Sequence, residues 1–156
     1  MKRVSWTLGA LTVLCCFSSH AAGILKLSHT ELTLSPDEPA SELWAENVGD
    51  TPLYLDISQQ RVINPGQVPE QRVPVEVIER PALLVLPRRL VLAPGQRYRM
   101  SLKEISVPRQ SEVWRVTFRP RERVAVDANH VEGTAAPLFV SIGYGVVIYQ
   151  RNGRGR

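Results

Sequence analysis

The fold class of this chain is decided by a stretch in its middle, Ala93-Pro94-Gly95-Gln96-Arg97-Tyr98-Arg99-Met100-Ser101-Leu102-Lys103. Its first four residues predict a turn, because proline fixes φ at the second position and glycine tolerates a positive φ at the third. In the residues that follow, Tyr98, Met100 and Leu102 alternate with polar side chains, which is the period of a half-buried strand. A tight turn that leads into such a strand indicates β-structure.

The same alternation recurs on both sides of this stretch, in the segments Leu43–Asn47, Leu53–Ile57 and Trp114–Phe118. Twelve prolines are spread over the chain, and few of the gaps between them would hold a long helix. The sequence therefore predicts an all-β fold, an immunoglobulin-like β-sandwich of about seven strands in a single domain over residues 22–150. Residues 121–137 are predicted to form a long loop, and residues 138–149 the final strand.

The first 21 residues are predicted to be a cleaved secretory signal peptide. Lys2 and Arg3 precede an uncharged, mostly apolar run over residues 4–17, and Ser19 and Ala21 fit a small-x-small cleavage site. This run is shorter than the roughly 20 residues that a membrane-spanning helix needs. We therefore expect export through a cleaved signal peptide, without membrane insertion after cleavage.

Cleavage changes the composition of the exported chain. Removal of 21 of the 156 residues takes away both cysteines, so the exported domain must rely on a hydrophobic core instead of disulfides. Lipidation of Cys15 or Cys16 is the minor alternative, because neither follows a small residue. Two of the 19 basic residues also leave, so 17 basic residues face 15 acidic ones and the net charge falls from +4 to +2. This balance argues against a nucleic-acid partner.

No motif in the sequence indicates catalysis. There is no glycine-rich phosphate loop, no nucleophile-elbow serine and no evident catalytic pair. Asp127, His130 and Glu132 are metal-ligand types in one polar segment, but no fourth ligand is in view and a solvated loop is favoured. The basic tail, residues 151–156, has no aromatic residue for stacking bases and is predicted to be disordered. We expect neither an enzyme, nor a cofactor, nor a metal site.

The predicted final strand, residues 138–149, is unusual for a sandwich. One parity carries large apolar residues throughout, while the other parity contains Ser141, Gly143 and Gly145 instead of charged residues. The strand also lacks the lysine, glutamate or proline that usually protects an edge. Two interpretations follow: a central, fully buried strand, or a strand whose bulky side chains are offered to another protein by β-strand addition.

Several segments, taken in their order and spacing, resemble the N-terminal domain of periplasmic pilus-assembly chaperones of the chaperone–usher pathway, especially its alternative or archaic branch. The resemblance covers most of residues 24–150. The segments that carry it are Leu27–Pro36, Leu43–Asn47 with Gly49-Asp50-Thr51-Pro52, Leu86–Gln96, Arg97–Leu102, the group Pro108, Glu112, Trp114 and Arg115, and Leu138–Tyr149.

The resemblance implies how such a protein would act. These chaperones hold pilus subunits whose sandwich lacks its last strand, and their own final strand fills the gap with large apolar side chains. By this resemblance, the subunit-binding residues would be Leu138, Val140 and Ile142 first, and then Tyr144, Phe139 and Val146. The opposite parity stays open, because a bulge at the glycines would change the register.

The resemblance also implies a pair of basic residues that anchors the terminal carboxylate of a bound subunit. The corresponding positions here are Glu31 and Val146, neither of which binds a carboxylate. Arg88, Arg89 and Arg151 are the candidates to replace them. The family has a second sandwich domain of comparable size, so a one-domain form and a truncated gene product both stay open.

Two functions of different classes follow from the sequence. The first is a periplasmic chaperone that binds a pilus or fimbrial subunit by donor-strand complementation, with an outer-membrane usher as a further partner. The second is a non-catalytic, secreted structural or adhesive sandwich domain associated with a surface fibre. In the second case the final strand would pair only within its own sheet.

Overall fold

The computed structural model describes residues 23–39, 41–121, 124–126, 138–140 and 142–153. These residues form twelve strands and one 3₁₀ turn, Val75–Val77. The strands are β1 (Leu25–Leu27), β2 (Glu31–Leu34), β3 (Leu43–Asn47), β4 (Leu53–Val62), β5 (Arg72–Pro74), β6 (Leu83–Leu86), β7 (Arg89–Leu92), β8 (Arg97–Glu104), β9 (Glu112–Pro120), β10 (Val124–Val126), β11 (Leu138–Val140) and β12 (Tyr144–Gln150).

Two sheets form the sandwich. One has four strands in the order β1-β3-β8-β6. The other has six, in the order β2-β12-β9-β4-β5, with β7 also paired to β4. All of these pairs are antiparallel except β2 with β12, which are parallel. The predicted all-β, immunoglobulin-like sandwich is therefore confirmed.

The strand count differs from the prediction because the chain changes sheets. β1 belongs to the four-stranded sheet and β2, three residues later, to the six-stranded one; β6 and β7 make the same change. The long strand β4 accommodates this arrangement, since its first half pairs with β7 and its last three residues pair with β5. An alternating sequence predicts that a segment is extended, but not that its two halves belong to different sheets.

The core forms where the predicted alternation places it. The largest fully buried side chains lie on the inner faces of both sheets, and Trp114 and Phe118 on β9 are the bulkiest of them. Leu43 and Ala45 on β3 are buried as well. Other buried members of this core are Leu25, Leu32, Leu34, Leu53, Leu55, Ile57, Leu83, Val85, Leu92, Met100, Val116, Val146 and Ile148.

Buried side-chain amides satisfy backbone groups that the sheets leave unpaired. Gln59 on β4 donates from Nε2 to the Leu83 carbonyl oxygen at 2.9 Å, and its Oε1 accepts from the Val85 N–H at 3.0 Å. This amide therefore takes the place of a neighbouring strand along β6 and joins the two sheets. Asn47 acts similarly, since its Nδ2 donates to the carbonyl oxygens of Thr51 and Leu92 at 2.8 and 3.1 Å.

Replacing Gln59 with leucine is expected to lower the free energy of unfolding by about 1–3 kcal/mol, because it leaves a buried N–H and a buried C=O on β6 without partners. Urea denaturation would measure the change. Gln71→Leu is the matched control, since Gln71 is exposed. Equal midpoints for the two variants would contradict the role given to Gln59.

Candidate functional site

A two-stranded pair, β10 and β11, lies between β9 and β12 in the chain, and we call these two strands together the arm. The two strands are antiparallel, with Val124 opposite Val140, Ala125 opposite Phe139 and Val126 opposite Leu138. Among the described strands, neither β10 nor β11 has a second neighbour. The arm therefore offers two strand edges whose backbone groups have no partner strand in the described part of the chain.

The predicted long loop over residues 121–137 is corrected by β10, which lies inside it. Residues 127–137 are outside the described part of the chain. The sequence signal for β10 is the apolar run Val124–Val126, which is no longer than the strand itself. Three residues are too few to show a period, so the partner of β11 could not be recognised before its pairing was known.

The predicted continuous strand over residues 138–149 is also corrected, because Ile142 and Gly143 lie outside any strand. Tyr144 pairs with Phe118 and Val140 pairs with Val124, so four residue steps on one side face six on the other. The ladder of β9 and β12 therefore does not continue in register into the ladder of β10 and β11. A bulge at the glycines stays a prediction, because Ser141 lies outside the described residues.

The candidate subunit-binding residues fall into two groups. Val146 is 1% exposed and packs in the core with Ile148, and Tyr144 is half-buried against that core. Val146 therefore cannot reach a partner without opening the sandwich, which corrects its assignment to the binding surface. Ile142, in contrast, is 61% exposed at the base of the arm. Leu138, Phe139 and Val140 form β11, whose side chains are not described.

The outer edge of β12 is only partly covered. β2 pairs with β12 from Val147 to Gln150, and the Val147 N–H donates to the Thr30 carbonyl oxygen at 2.9 Å. The odd residues of β12 thus point their backbone groups away from β9, but at Gly145 no described strand lies alongside to receive them. β12 therefore has an uncovered edge position at Gly145, and β11, which precedes it in the chain, has an uncovered edge in a separate two-stranded sheet.

The three arginines proposed as a carboxylate anchor are not brought together. Arg88 forms an ion pair with Glu76, and Arg89 lies beside Asp56 on the outer face of the six-stranded sheet. Arg151 follows β12, where its N–H donates to the Leu34 carbonyl oxygen.

The separation follows from the register of β9. Asp56, which pairs with Arg89, also pairs with Arg119, whereas Gln150 pairs with Glu112 seven residues earlier. Seven residues of strand span roughly 23 Å. Glu31 lies opposite Val147, so the resembled anchor position carries an acidic residue here. Arg89 and Arg151 therefore cannot form one anchor.

An ion-pair group fixes the side of the six-stranded sheet near β5. Glu70 accepts hydrogen bonds from Arg115 Nε at 2.7 Å and from Arg72 Nε at 2.6 Å. The bond from Arg115, opposed by desolvation and reinforced by Arg72, holds the pKa of Glu70 below its usual value. The same bond raises the pKa of Arg115. The group therefore holds the segment before β5 against β9.

Glu70→Gln is expected to lower stability at pH 7 and to have less effect as the pH falls through the lowered pKa of Glu70, where the carboxylate of the wild type becomes protonated. The direction of this pH dependence follows from the lowered pKa. A carboxylate whose pKa is lower in the folded state stabilises the fold above its unfolded pKa, and this stabilisation is lost as the pH falls. Urea denaturation at pH 7 and at an acidic pH measures the difference in stability. Glu79→Gln is the control, because Glu79 is exposed and forms no ion pair with a described residue. A difference that persists unchanged at acidic pH would refute this role.

The described residues contain no group of three metal-ligand side chains and no helix long and apolar enough to cross a membrane. Asp127, His130 and Glu132 lie outside the described residues, as does the predicted signal peptide. Two open grooves, of about 650 and 610 Å³, both border Arg109 at the end of the sandwich remote from the arm. The open strand edge is thus the feature with a definite binding geometry.

Solved structures share this architecture. The class 5 fimbriae chaperone CfaA superposes with a TM-score of 0.66 at 19% identity, covering 84% of this chain and 57% of its own. A chain of the CsuC–CsuE chaperone–tip adhesion subunit pre-assembly complex, from the archaic chaperone-usher Csu pili of Acinetobacter baumannii, gives 0.61 at 13% identity, with 85% and 58% covered. The Salmonella enterica SafA pilin–SafB chaperone complex gives 0.55 at 14% identity, with 87% and 58% covered.

This chain has the fold of a fimbrial chaperone domain. The resemblance seen in the sequence is confirmed at that level. The chain spans somewhat more than half the length of the solved chains that it matches. No family model and no curated protein matches the sequence.

Proposed function

We propose that this chain is a periplasmic chaperone for pilus or fimbrial subunits, which it binds by donating the edge formed by β11 and the start of β12. The single observation that carries the proposal is the arm, a hairpin whose strands have no second neighbour among the described strands. β12, which follows the arm in the chain, adds an edge position at Gly145 that β2 leaves uncovered. A subunit strand would add to this edge by backbone hydrogen bonding.

Apolar side chains give the proposed edge its second component. Ile142 is exposed at the base of the arm, and β11 supplies Leu138, Phe139 and Val140. Burial of a large apolar side chain is worth about 1.5–3 kcal/mol, so a few such residues and a ladder of hydrogen bonds would support a tight complex. Tyr144 lies at the inner limit of this surface, because the next residue of its parity, Val146, belongs to the core.

The comparisons support the same class of partner. Two of the similar structures are complexes of a chaperone with a pilin or a tip adhesion subunit. A non-enzymatic role, a periplasmic location reached through cleavage of residues 1–21, and an outer-membrane usher as a further partner belong to the proposal. The domain spans residues 22–150, with residues 151–156 as its basic tail.

Co-expression with a candidate fimbrial subunit, followed by affinity purification of the tagged chain, tests the proposal. We expect the subunit to remain soluble and to co-purify in a defined ratio, because the added strand covers its exposed groove. If the subunit aggregates equally with and without this chain, the chaperone proposal fails and the structural or adhesive sandwich becomes the better account.

A further inference from the structure

Three strands bring charged residues into one row on the outer face of the six-stranded sheet. Asp56 on β4 lies opposite Arg119 on β9 and opposite Arg89 on β7. Arg121, just after β9, donates from Nη2 and Nε to the two oxygens of Asp56 at 2.7 and 3.0 Å. We call Arg89, Arg119 and Arg121, with Asp56, the arginine row.

The arginine row carries more positive than negative charge. Arg121 occupies both carboxylate oxygens of Asp56, and Arg89 approaches one of them only to 3.7 Å, with its side chain 82% exposed. Arg119 is exposed and forms no ion pair with any described residue. Three guanidinium groups thus share one carboxylate, which leaves an excess of two positive charges at the surface.

The carboxylate at the centre of the row stays ionised at neutral pH. The hydrogen bond from Arg121, against some desolvation, holds the pKa of Asp56 below its usual value, and the charges of Arg89 and Arg119 act in the same direction. The neighbouring Arg88 does not add to the excess, because it is paired with Glu76. The excess is therefore a fixed property of the row over the physiological pH range.

An apolar pair adjoins the arginine row. Tyr54 on β4 lies opposite Val91 on β7, and the two residues are 45% and 54% exposed. They are two positions along from Asp56 and Arg89, so they face the same side of the sheet at a distance of about 6.7 Å along each strand. Arg89, Asp56 and Arg119 thus form one row, and the apolar pair lies in the next row, where Arg121 flanks it with its N–H bonded to the Tyr54 carbonyl oxygen. The two rows are separated by the spacing of residues i and i+2 in an extended peptide.

We propose that the arginine row and the Tyr54–Val91 pair bind an extended acidic segment of a partner protein, in which a carboxylate and an apolar residue stand two positions apart and so face the same side. Charge complementarity supplies the attraction, and the apolar pair makes the surface selective for protein. A nucleic acid fits less well, because three strands span only about 10 Å and two excess charges neutralise few phosphates.

The part of this surface on β4 and β7 is remote from the proposed strand-donating edge, whereas Arg121 lies three residues before β10. β9 and β4 lie between β12 and β7, so a subunit added at the edge of β12 leaves the face of β4 and β7 accessible. The inference is independent of the proposed function and would hold if the arm bound nothing.

Fluorescence anisotropy tests the inference with a labelled synthetic nonapeptide in which glutamate and an apolar residue, leucine or tyrosine, take turns at every second position, with serine between them. We expect binding that weakens with added sodium chloride, and that is at least about fivefold weaker for Arg89→Gln/Arg119→Gln. Lys26→Gln/Lys103→Gln removes the same charge from the opposite sheet and should bind as the wild type does. Asp56→Asn adds to the positive excess and should bind more tightly.

Three results would overturn the inference. One is equal weakening by the two double variants, which would show a response to net charge alone. Another is equal binding of the matching peptide with glutamine in place of glutamate. The third is tighter binding of a twelve-nucleotide oligothymidylate that is lost in Arg89→Gln/Arg119→Gln, which would assign the surface to nucleic acid. Thermal denaturation of each variant checks that its sandwich is folded.

Discussion

Glutamate at both Val140 and Ile142 is expected to abolish capture of a fimbrial subunit and to leave the sandwich folded. Ile142 is exposed outside any strand, and β11, which contains Val140, pairs only with β10 among the described strands. A carboxylate forced into the apolar groove of a subunit would lose its hydration without gaining a partner, which costs several kcal/mol. Affinity purification from co-expressing cells measures capture, and circular dichroism measures folding.

The matched control for this variant places two glutamates on exposed apolar positions elsewhere. Val68 and Val77 are both strongly exposed and belong to the segments around β5. Val68→Glu/Val77→Glu should retain capture in full. If the Val140→Glu/Ile142→Glu protein unfolds, the segment is part of the core; if it still captures the subunit, the binding surface lies elsewhere. Either result rejects strand donation through the arm.

Trp114→Ala is expected to remove a large part of the free energy of unfolding. Trp114 is fully buried on β9, and its Nε1 donates to Gln150 Oε1 at 3.2 Å. Truncation of a buried tryptophan costs about 3–5 kcal/mol, and removal of the indole also deprives Gln150 of a partner. Because small domains have only about 5–15 kcal/mol of stability, this loss is a large part of the total.

Trp44→Ala is the matched control for the core variant. Trp44 lies on the outer face of β3, with the Arg97 guanidinium over its ring at 4.3 Å and its Nε1 donating to Glu42. Its truncation removes a surface contact of about 1 kcal/mol and leaves no cavity. Urea denaturation compares the two variants, and equal losses would contradict the placement of Trp114 in the core.

The central part of the fold could be predicted because its signals are local. β4 and β9 alternate between buried and outward-facing residues over seven or more positions, and each strand shows this period by itself. The change of sheet between β6 and β7 was not predicted. It depends on which distant strand offers an edge, and Gln59, which satisfies the free edge of β6, is 24 residues away from Leu83.

The candidate site could be predicted only in part, because its arrangement also depends on pairing between strands that are distant in the sequence. The apolar parity of residues 138–148 is continuous in sequence, but from Tyr144 onwards the chain pairs with β9 and Val146 then lies in the core between the sheets. Ile142 lies before β12 and stays exposed. The arginine row was not predicted, since Asp56, Arg89 and Arg119 are 30 or more residues apart and meet only through the register of β9, β4 and β7.

Hydrogen exchange at individual amides, with and without a captured subunit, tests strand donation most directly. The account predicts that the amides of β11, Ile142 and Gly145 become protected in the complex, because the added strand lies along that edge. Val147 should change little, since its N–H is already bonded to the Thr30 carbonyl oxygen. A stable complex in which β11 and Gly145 exchange as fast as in the free chain would contradict the account.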